Sequence, residues 1–587
     1  MTKSDHPRWG AYLNGNGAEF GLWAPSQPEV WVRAGGRDVP MQRSAEGWFT
    51  ATIPDLGPDD AYCYKLEDGR TVPDPAARAQ KDDVHGPSLL VDTASYDWQY
   101  HWQGRPWEEA VIYEIHVGTF TEAGTFRAMI DRLSALADLG ITAIELMPIA
   151  QFAGNRGWGY DGVLPYAVHP AYGTPEDLCA LVDAAHGQGL MVLLDVVYNH
   201  FGPEGNHLSD YAPEFFHPDC HTPWGAAIAY ERAPVRNFFI DNALHWLREY
   251  NLDGLRLDAI DHIHDPSDPD LLVELAMAVR AEFPERKIHL TTEDNRNITR
   301  LHERDGDQVP LYTAEWNDDW HNTAHVIATG ETEFYYVDFA DDPQAHLART
   351  LAEGFAFQGE FSQLKGEPRG KPSAHLPPLA FVDFLQNHDQ VGNRAYGERI
   401  DRLAEDRAVQ ALHAILLLSP HIPLLFMGEE YGETRPFLFF TDFHGELADA
   451  VREGRRREFA GFGAFTDASA PLPDPNAWET FEASRLDWSE REGSGYVRLG
   501  EIRELLALRA TEIVPYLAGV GGQSGRMLES EPDVVAVDWH LNGTVLHLRA
   551  NLGEHVRSVP AAPGRTIWGS GGDSFGPWQV HVTKAHR

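Results

Sequence analysis

The first 95 residues contain short runs of aromatic and β-branched residues, separated by Gly, Pro and Asp. These runs are Phe20–Pro25, Val30–Val32, Gly47–Ile53 and Ala61–Leu66. Hydrophobic runs of this length and composition predict β-strands. Because they recur at short, regular spacing, residues 1–95 are predicted to fold as an N-terminal β-sandwich.

From about residue 108 the pattern changes to an alternation of buried strands and amphipathic helices. In one helix, for example, Met129, Leu133 and Leu136 share a face before Gly140 ends the pattern. The predicted strands are Ala110–Val117, Ile141–Met147, Leu190–Val197, Gly254–Asp258, Ile288–Glu293, Leu311–Glu315, Leu379–Phe384 and Pro423–Met427. Eight strands, most of them followed by a helix, predict a closed parallel (β/α)8 barrel over residues 96–514.

Helix starts and a short insertion complete the predicted barrel. A capping residue followed by Pro, at Thr174-Pro175 and at Asp268-Pro269, predicts where two of the helices begin. Glu501–Arg509 resembles the last helix, and residues 201–234 form a short insertion after the third strand. An open doubly wound sheet is the alternative, but no GxGxxG follows a strand and no GxxxxGK[ST] occurs.

The last part of the chain, from about Pro515, returns to a β pattern. Val534–Trp539 and Thr544–Leu548 flank Asn542-Gly543, which is a strong signal for a hairpin turn. Residues 515–587 are therefore predicted to form a C-terminal all-β domain. The predicted fold class is α/β, with a (β/α)8 TIM barrel between two β domains.

The charge of the chain narrows the choice of partners. With 47 Lys and Arg against 89 Asp and Glu, the formal net charge is −42. A surface this acidic repels nucleic acid and anionic membrane surfaces, so neither is an expected partner. Three widely spaced cysteines, Cys63, Cys179 and Cys220, favour a reducing compartment. Because the N-terminus lacks an apolar signal segment, we expect a cytoplasmic location.

Polar side chains stand at the ends of several predicted barrel strands, where they would meet at one mouth. Four strand ends carry them, in the segments Asp195–His200, Arg256–Asp258, Thr291–Asp294 and Gln386–Asp389. A single carboxylate after a strand is more often a helix cap than a functional group. Four polar ends on one rim are much harder to explain in this way, and they predict an active site.

Strand geometry places two charged side chains of the fourth strand end on the same side of the strand. Arg256 and Asp258 are two residues apart and therefore point the same way. The guanidinium of Arg256 is expected to hold Asp258 ionised. At the fifth strand end, alternation leaves open whether Glu293 or Asp294 faces the mouth.

Carboxyl groups in different environments are what retaining glycoside cleavage requires, one kept charged and one kept protonated. Asp258 would be the nucleophile and Glu293 the general acid. Asp389, beside His388, would raise the proton affinity of a neighbouring acid and would hydrogen-bond sugar hydroxyls. The strand ends thus predict a retaining glycoside hydrolase.

Other chemistries are less consistent with the sequence. His262 and His264 could ligate zinc, but such a pair is more often part of a polar loop. Calcium binding through Asn199 stays open, although no EF-hand spacing occurs. A serine hydrolase is disfavoured because no GxSxG follows a strand. We expect neither a metal ion nor a cofactor.

Four segments resemble the signature regions of the alpha-amylase family of glycoside hydrolases, family thirteen. They are Asp195–His200, Gly254–Asp258, the strand end at Glu293, and Asn387–Asp389, in that family's order. The resemblance implies that Asp258 is the nucleophile, Glu293 the acid/base and Asp389 the transition-state stabiliser. The residues expected to bind substrate around them are Tyr160, Asp195, Asn199, His200, Arg256, His388, Asn393 and Arg394.

Within that family, further segments resemble the members that release trehalose from an oligosaccharide. They are Tyr198–Gly205, Thr222–Ala226, Thr292–Asn297, Trp316–Asp319 with His321, and Phe437–Asp442. The resemblance implies cleavage of the α-1,4 bond next to the terminal α,α-trehalose of maltooligosyltrehalose. Trp316, Asn317, Asp318 and Asp319 are expected to hold the trehalose end. In the alternative interpretation, Trp316 packs in the core and the acids cap a helix.

Two other functions stay open at this level. One is a branching or debranching enzyme of the same family, and the other is a catalytically silent scaffold that binds glucan. The pair Glu293-Asp294 departs from the acid-plus-Ser pattern of branching enzymes, and the intact set of three acids argues against a silent protein. We expect a monomer or a weak homodimer, an α-glucan substrate and a carbohydrate-binding-like N-terminal sandwich.

Overall fold

The strands before residue 90 form two antiparallel sheets in the computed structural model, which describes residues 8–460 and 471–586. The first sheet has the strand order Gly10–Leu13, Gly17–Trp23, Trp48–Pro54, Gln42–Arg43. The second has the order Arg37–Pro40, Val30–Ala34, Ala61–Leu66, Ser88–Leu89, Ala79–Gln80, with Thr71–Val72 paired to Ala61–Leu66. Phe20 of the first sheet packs edge-on against Tyr62 of the second. The predicted sandwich is confirmed.

Eight parallel strands close into a barrel in which the first strand pairs with the last. They are β1 Ile112–Ile115, β2 Ala143–Leu146, β3 Met191–Val196, β4 Gly254–Leu257, β5 His289–Glu293, β6 Ala314–Trp316, β7 Phe381–Phe384 and β8 Ile422–Phe426. Each predicted run contains its strand or overlaps it, and the sixth is displaced most, toward Trp316. The predicted (β/α)8 barrel is confirmed.

Helices surround the barrel. The main ones are α1 Phe126–Leu139, α2 Pro175–Gly187, α3 Ala233–Glu249, α4 Leu271–Glu282, α5 Asp318–Thr329, α6 Pro343–Glu353, α7 Asp406–Leu418 and α8 Tyr496–Leu508. Shorter or peripheral helices are Val117–Phe120, Leu208–Tyr211, His388–Gly392, Ile400–Leu403, Gly445–Ala460 and Trp478–Ala483.

The two predicted helix starts have different outcomes. Thr174 caps α2 in a capping box with Asp177, as expected from the sequence. The prediction that Asp268-Pro269 opens the next helix is wrong. Asp270, rather than Asp268, caps α4, because its side chain accepts a hydrogen bond from the backbone N–H of Val273. The helix therefore begins two residues later than the Pro signal indicated.

The interior of the barrel has an apolar floor and a charged layer above it. Side chains such as Ile112, Leu193 and Val382 fill the floor. Two residues further along, on the same faces of β1 and β3, stand Glu114 and Asp195. The hairpins Ala150–Gln151/Leu164–Val168, Phe216–Thr222/Gly225–Ile228 and Phe361–Ser362/Glu367–Pro368 lie in the loops after strands.

The C-terminal sheet docks on the barrel through α6. Its strand order is Gly525–Met527, Val534–Leu541, Thr544–Asn551, Gln579–His586, Arg565–Gly569, with Arg557–Ser558 and Ser574–Phe575 paired separately. Gly543 has a φ of 74° in the predicted hairpin turn, which suits glycine. Trp539 donates to the backbone oxygen of Leu351 at 2.8 Å. Across the described ranges, no helix is both long enough and apolar enough to span a membrane.

Candidate active site

A single buried guanidinium binds three carboxyl groups at the barrel mouth. Nη1 of Arg256 lies 2.6 Å from Asp195 Oδ2 and 2.9 Å from Asp258 Oδ1. Its Nη2 lies 2.7 Å from Glu293 Oε2, and the Arg256 side chain has no solvent exposure. Because a guanidinium is a planar fork of donors, it holds several carboxylates in one fixed arrangement. The structure therefore brings these four predicted site residues together.

The register of β3, β4 and β5 explains this arrangement. Asp195 lies opposite Arg256, and Arg256 lies opposite Thr291 on the next strand. Residues two positions apart share a face of a strand. Asp258 and Glu293 therefore continue the inward face of their strands, one step closer to the mouth.

The two acids at the end of β5 point in different directions. Glu293 accepts a hydrogen bond from the backbone N–H of Ala259 at 3.0 Å, in addition to its contact with Arg256. Asp294 turns away and forms a bidentate pair with Arg296. Ala259 has a φ of 38°, a left-handed backbone conformation that is strained for alanine and aims its N–H at the acid. The choice that alternation left open therefore falls on Glu293.

Burial separates the proton affinities of the two central carboxyl groups. Burial raises the pKa of Asp258 to about 6, although Arg256 opposes the shift. Burial raises the pKa of Glu293 to about 8, and the charges of Asp258 and Asp389 add to the increase. The sequence analysis predicted that Arg256 lowers the pKa of Asp258, but it did not predict the larger, opposite effect of burial. At neutral pH Asp258 is mostly charged and Glu293 is mostly protonated.

Tyr160 and His388 form one wall of the site. The Tyr160 hydroxyl donates to Asp195 Oδ2 at 2.6 Å. Its ring stacks on the imidazole of His388, with the centroids 5.1 Å apart and the planes 19° apart. The contact fixes the positions of both rings, so together they present a rigid surface beside the acids.

His200 and Asn199 form the neighbouring wall, at the end of β3. His200 Nε2 lies 3.0 Å from the backbone oxygen of Tyr160, and its Nδ1 lies 2.7 Å from Asn199 Oδ1. Burial lowers the pKa of His200 to about 4, so its ring is neutral. Asn199 Nδ2 lies 3.4 Å from Asp258 Oδ2. This pair therefore fixes the side of Asp258 that Arg256 does not reach.

Asp389 is the most exposed of the three predicted catalytic acids. Its side chain is 37% exposed, and its Oδ1 lies 3.4 Å from His388 Nε2. Asn393, one helical turn further on, donates to the same carboxyl at 3.2 Å. Asp389 is thus within reach of a ligand at the mouth, and Asn393 acts as its support.

The residues predicted to hold a trehalose end divide into two groups. Trp316, Asn317 and Asp319 are buried inside the protein. Trp316 lies against the Arg256 guanidinium, 4.2 Å from its carbon to the ring centroid. Asn317 donates to Asp383, and Asp319 forms an ion pair with Arg369. The alternative that the sequence left open is right for Trp316, which packs in the core, but not for Asp319, which binds Arg369 instead of capping the helix.

Asp318 is the member of that group that faces open space. It lines a cavity of about 290 Å³ next to Glu293 and Asp389. Gln390 donates to its Oδ1 at 3.3 Å. Burial raises the pKa of Asp318 to about 8, and the charges of Glu293 and Asp389 add to the increase. This carboxyl is therefore mostly protonated at neutral pH and can donate a hydrogen bond into the cavity.

Arg394 also lines this cavity, but it is bound by a carboxylate of the protein. Its Nη1 and Nη2 lie 2.8 and 3.1 Å from the two carboxyl oxygens of Glu331. A bidentate pair of this kind fixes the guanidinium and neutralises it. Arg394 therefore shapes the wall of the cavity.

The sequence analysis missed Glu114 and named Trp224 only within the segment Thr222–Ala226. Glu114 on β1 binds His388. Glu145 lies opposite Glu114 on β2, buried inside the barrel, and was also missed. Trp224, on the hairpin after β3, stacks on His200 at a centroid distance of 4.4 Å. A single acid within each of two otherwise apolar strands was the available signal for the glutamates. The position of Trp224 depends on the fold of its hairpin, which the pattern does not give.

His262, one of the two candidate zinc ligands, lies beside Trp224. No group of three or more His, Cys, Asp or Glu side chains in residues 8–460 and 471–586 is arranged to hold a metal ion. His262 instead lies edge-on against Trp224, with the ring centroids 4.9 Å apart. Its surroundings are those of an aromatic cluster.

Comparison with known proteins finds family models that match most of the chain. A family model described as the alpha amylase catalytic domain matches residues 113–224 and 210–457, and the domain of unknown function DUF3459 matches residues 526–578. A malto-oligosyltrehalose trehalohydrolase from Deinococcus radiodurans is 44% identical over 85% of this chain and 82% of its own length. The enzyme of that name from Saccharolobus solfataricus is 39% identical over 84% and 87%.

Solved structures agree with this assignment. A putative alpha amylase from Salmonella typhimurium is 54% identical, with a TM-score of 0.96 over 99% of this chain and all of that one. A pullulanase from Anoxybacillus sp. LM18-11 has a TM-score of 0.73 over 98% and 87% of the two chains at 19% identity, which shows a shared fold.

The raised pKa of Glu293 makes stability depend on pH. The folded protein retains a proton up to about pH 8, whereas an ordinary glutamate loses it near 4.5. Stability linked to this group is therefore present at low pH and is lost as the pH rises from about 4.5 to 8. Glu293→Gln removes that loss. The free energy of unfolding of Glu293→Gln minus that of wild type should be about 3 kcal/mol larger at pH 8.5 than at pH 5.5.

Urea unfolding of both proteins at the two pH values measures this difference. Glu367→Gln, which changes an exposed glutamate on a hairpin near the cavity, is the matched control and should show no such gain. An equal offset between Glu293→Gln and wild type at both pH values would contradict the raised pKa.

Proposed function

The chain belongs to the malto-oligosyltrehalose trehalohydrolases of the alpha-amylase family, and we propose how its own residues carry out that hydrolysis. The reaction cleaves the α-1,4-glucosidic bond next to the terminal α,α-trehalose of maltooligosyltrehalose. Its products are trehalose and a maltooligosaccharide. The observation that carries the assignment of roles is that Asp258 and Glu293 share the guanidinium of Arg256 while differing in proton affinity.

The first step transfers the glycosyl group to the enzyme. A carboxylate oxygen of Asp258 attacks the anomeric carbon and forms a covalent bond to it. As the bond from that carbon to the leaving oxygen breaks, the proton of Glu293 moves to that oxygen, and trehalose departs. In this step Asp258 acts in its charged form and Glu293 in its protonated form, which are their main forms at neutral pH.

The second step releases the maltooligosaccharide. Glu293, now ionised, accepts a proton from water, and the water oxygen attacks the anomeric carbon from the face that trehalose left. The bond to Asp258 breaks, and both carboxyl groups return to their starting forms. Asp389 is close enough to hold sugar hydroxyls during both steps, and His388 and Asn393 keep its carboxyl in place.

The cavity beside Glu293 provides the place for trehalose. Because the acid protonates the leaving oxygen, the leaving group lies on the side of Glu293. The cavity of about 290 Å³ lies there, and Asp258 is not among its lining residues. Ligand pockets usually measure about 300–1,000 Å³, so this cavity suits a disaccharide better than a long chain.

The walls of the cavity suit a sugar with many hydroxyl groups. Tyr335 and Leu364 offer exposed apolar surface, and both line the cavity. Asp318, mostly protonated, offers a hydrogen-bond donor beside the acid. We assign the trehalose contact to Asp318, while Trp316, Asn317 and Asp319 support the wall from behind.

The partners and the location complete the proposal. The family implies an oligosaccharide substrate. A cytoplasmic location, and a monomer or weak homodimer, are proposed on the evidence of the sequence. Three cysteines without disulfide bonds, Cys63, Cys179 and Cys220, support a reducing compartment.

A product assay separates the proposed reaction from its rivals. The protein is incubated with maltooligosyltrehalose and, separately, with the maltooligosaccharide of equal length. We expect trehalose as the dominant product of the first incubation and slow turnover of the second, because the proposed contact of Asp318 is made to the trehalose unit. Chain transfer or α-1,6 cleavage would favour a branching or debranching enzyme, and absence of turnover would favour a scaffold.

Substitution of Asp318 tests the proposed trehalose contact. Asp318→Ala removes the donor, so kcat/KM for maltooligosyltrehalose should fall by about 10- to 100-fold, the effect of losing one good polar contact. Asp318→Asn keeps a neutral donor and should retain most of the activity at pH 7. Steady-state kinetics with both substrates measures the selectivity.

The control for this test is Asp341→Ala, which removes an exposed aspartate outside the cavity and should leave selectivity unchanged. Equal losses with the two substrates in Asp318→Ala would mean that Asp318 does not contact the trehalose unit.

A further inference from the structure

Glu114 makes two hydrogen bonds to one residue at the end of β7. Its Oε1 lies 2.5 Å from Nδ1 of the His388 ring, and its Oε2 accepts from the backbone N–H of His388 at 3.0 Å. Both residues are buried. A carboxylate that binds the ring and the backbone of the same histidine fixes its position and its orientation together.

The remaining faces of the His388 ring are also fixed by the protein. Tyr160 covers one face, and Trp158 meets the ring edge-on at a centroid distance of 5.5 Å. Since Nδ1 is directed to Glu114, the other nitrogen, Nε2, faces the catalytic mouth. There it lies 3.4 Å from Asp389 Oδ1.

We propose that Glu114 is a positioning residue that keeps His388 as a charged imidazolium, with its Nε2–H directed at Asp389 and at the bound sugar. Glu114 does not touch the substrate. It acts through His388, which in turn holds the carboxyl of Asp389 in place. The kinetic consequences of this inference rest on the proposed hydrolysis.

The groups around His388 support a charged ring. Burial alone would lower its pKa, but the charges of Glu114 and Asp389 outweigh burial and raise the pKa to about 9. The groups that interact with it electrostatically are Glu114 on β1, His116 after β1, Glu145 on β2, Asp195 on β3, Arg256 on β4 and the adjacent Asp389. Arg256 opposes the charge, and burial lowers the pKa of His116 to about 4, so that ring is neutral.

Glu145 provides a natural comparison for Glu114. The two glutamates lie directly opposite each other on β1 and β2, and each is 1% exposed. Neither carboxyl oxygen of Glu145 has a hydrogen-bond partner among the described residues. Burial raises the pKa of Glu145 well above its usual range, which favours its neutral form. The same substitution therefore breaks the ion pair with His388 at one position and no ion pair at the other.

The experiment compares Glu114→Gln with Glu145→Gln in the full-length protein. In wild type, loss of the Glu293 proton near pH 8 sets the alkaline limb of kcat/KM, because His388 stays charged to about pH 9. In Glu114→Gln, His388 should lose its proton before Glu293 does. The alkaline limb should then move at least one pH unit lower, and kcat/KM at pH 7 should fall by about 10- to 100-fold, the usual cost of misplacing a catalytic group.

A measurement without substrate separates this inference from the proposed function. In wild type labelled with 15N-histidine, one imidazole signal should titrate near pH 9, and His388→Gln should remove that signal. Glu145→Gln should leave both the signal and the pH profile in place. Three results would each overturn the inference: a His388 signal that titrates below pH 7 in wild type, an unmoved alkaline limb in folded Glu114→Gln, or an equal shift in Glu145→Gln.

Discussion

The buried guanidinium of Arg256 is the constraint on which the rest of the site depends. Moving a cation out of water costs several kcal/mol, and the same holds for each carboxylate beside it. The guanidinium is therefore stable inside the barrel only because Asp195, Asp258 and Glu293 all accept hydrogen bonds from it. Trp316, stacked against the guanidinium, holds its plane in place from the other side. The fork thereby sets where the two central acids stand relative to each other.

The number of acids around that fork gives them different functions. One positive charge cannot compensate every neighbouring carboxylate. The acid whose ionisation costs the most free energy therefore keeps its proton. That acid is Glu293, which burial and the charges of Asp258 and Asp389 act upon together. The proposed nucleophile and the proposed general acid thus arise from two ordinary carboxylic acids in different surroundings. A second buried pair is formed by Glu114 and His388. In the proposed arrangement, His388 Nε2, 3.4 Å from Asp389 Oδ1, holds that carboxyl in place.

The strands of the barrel and the candidate acids could be predicted from the sequence because both follow from local pattern. A buried run gives a strand, and a polar residue at its end gives a position on the rim, so Asp258, Glu293 and Asp389 were accessible without coordinates. The direction of side chains after a strand ends was not accessible, because it depends on the following loop. For that reason Trp316 and Asp319 face the protein, whereas Asp318 faces the cavity. The contact between Glu114 and His388 joins residues that are far apart in the chain, and no periodicity reports such a pair.

The anomeric configuration of the newly released maltooligosaccharide tests the central claim most directly. The reaction with maltooligosyltrehalose is followed by proton NMR during the first minutes, before the released maltooligosaccharide mutarotates. If Asp258 and Glu293 share Arg256 as described, a covalent intermediate forms and the α-anomer appears first, as expected for carboxyl groups about 5–5.5 Å apart. Initial appearance of the β-anomer would contradict the account, because it would mean direct attack by water between more widely separated acids.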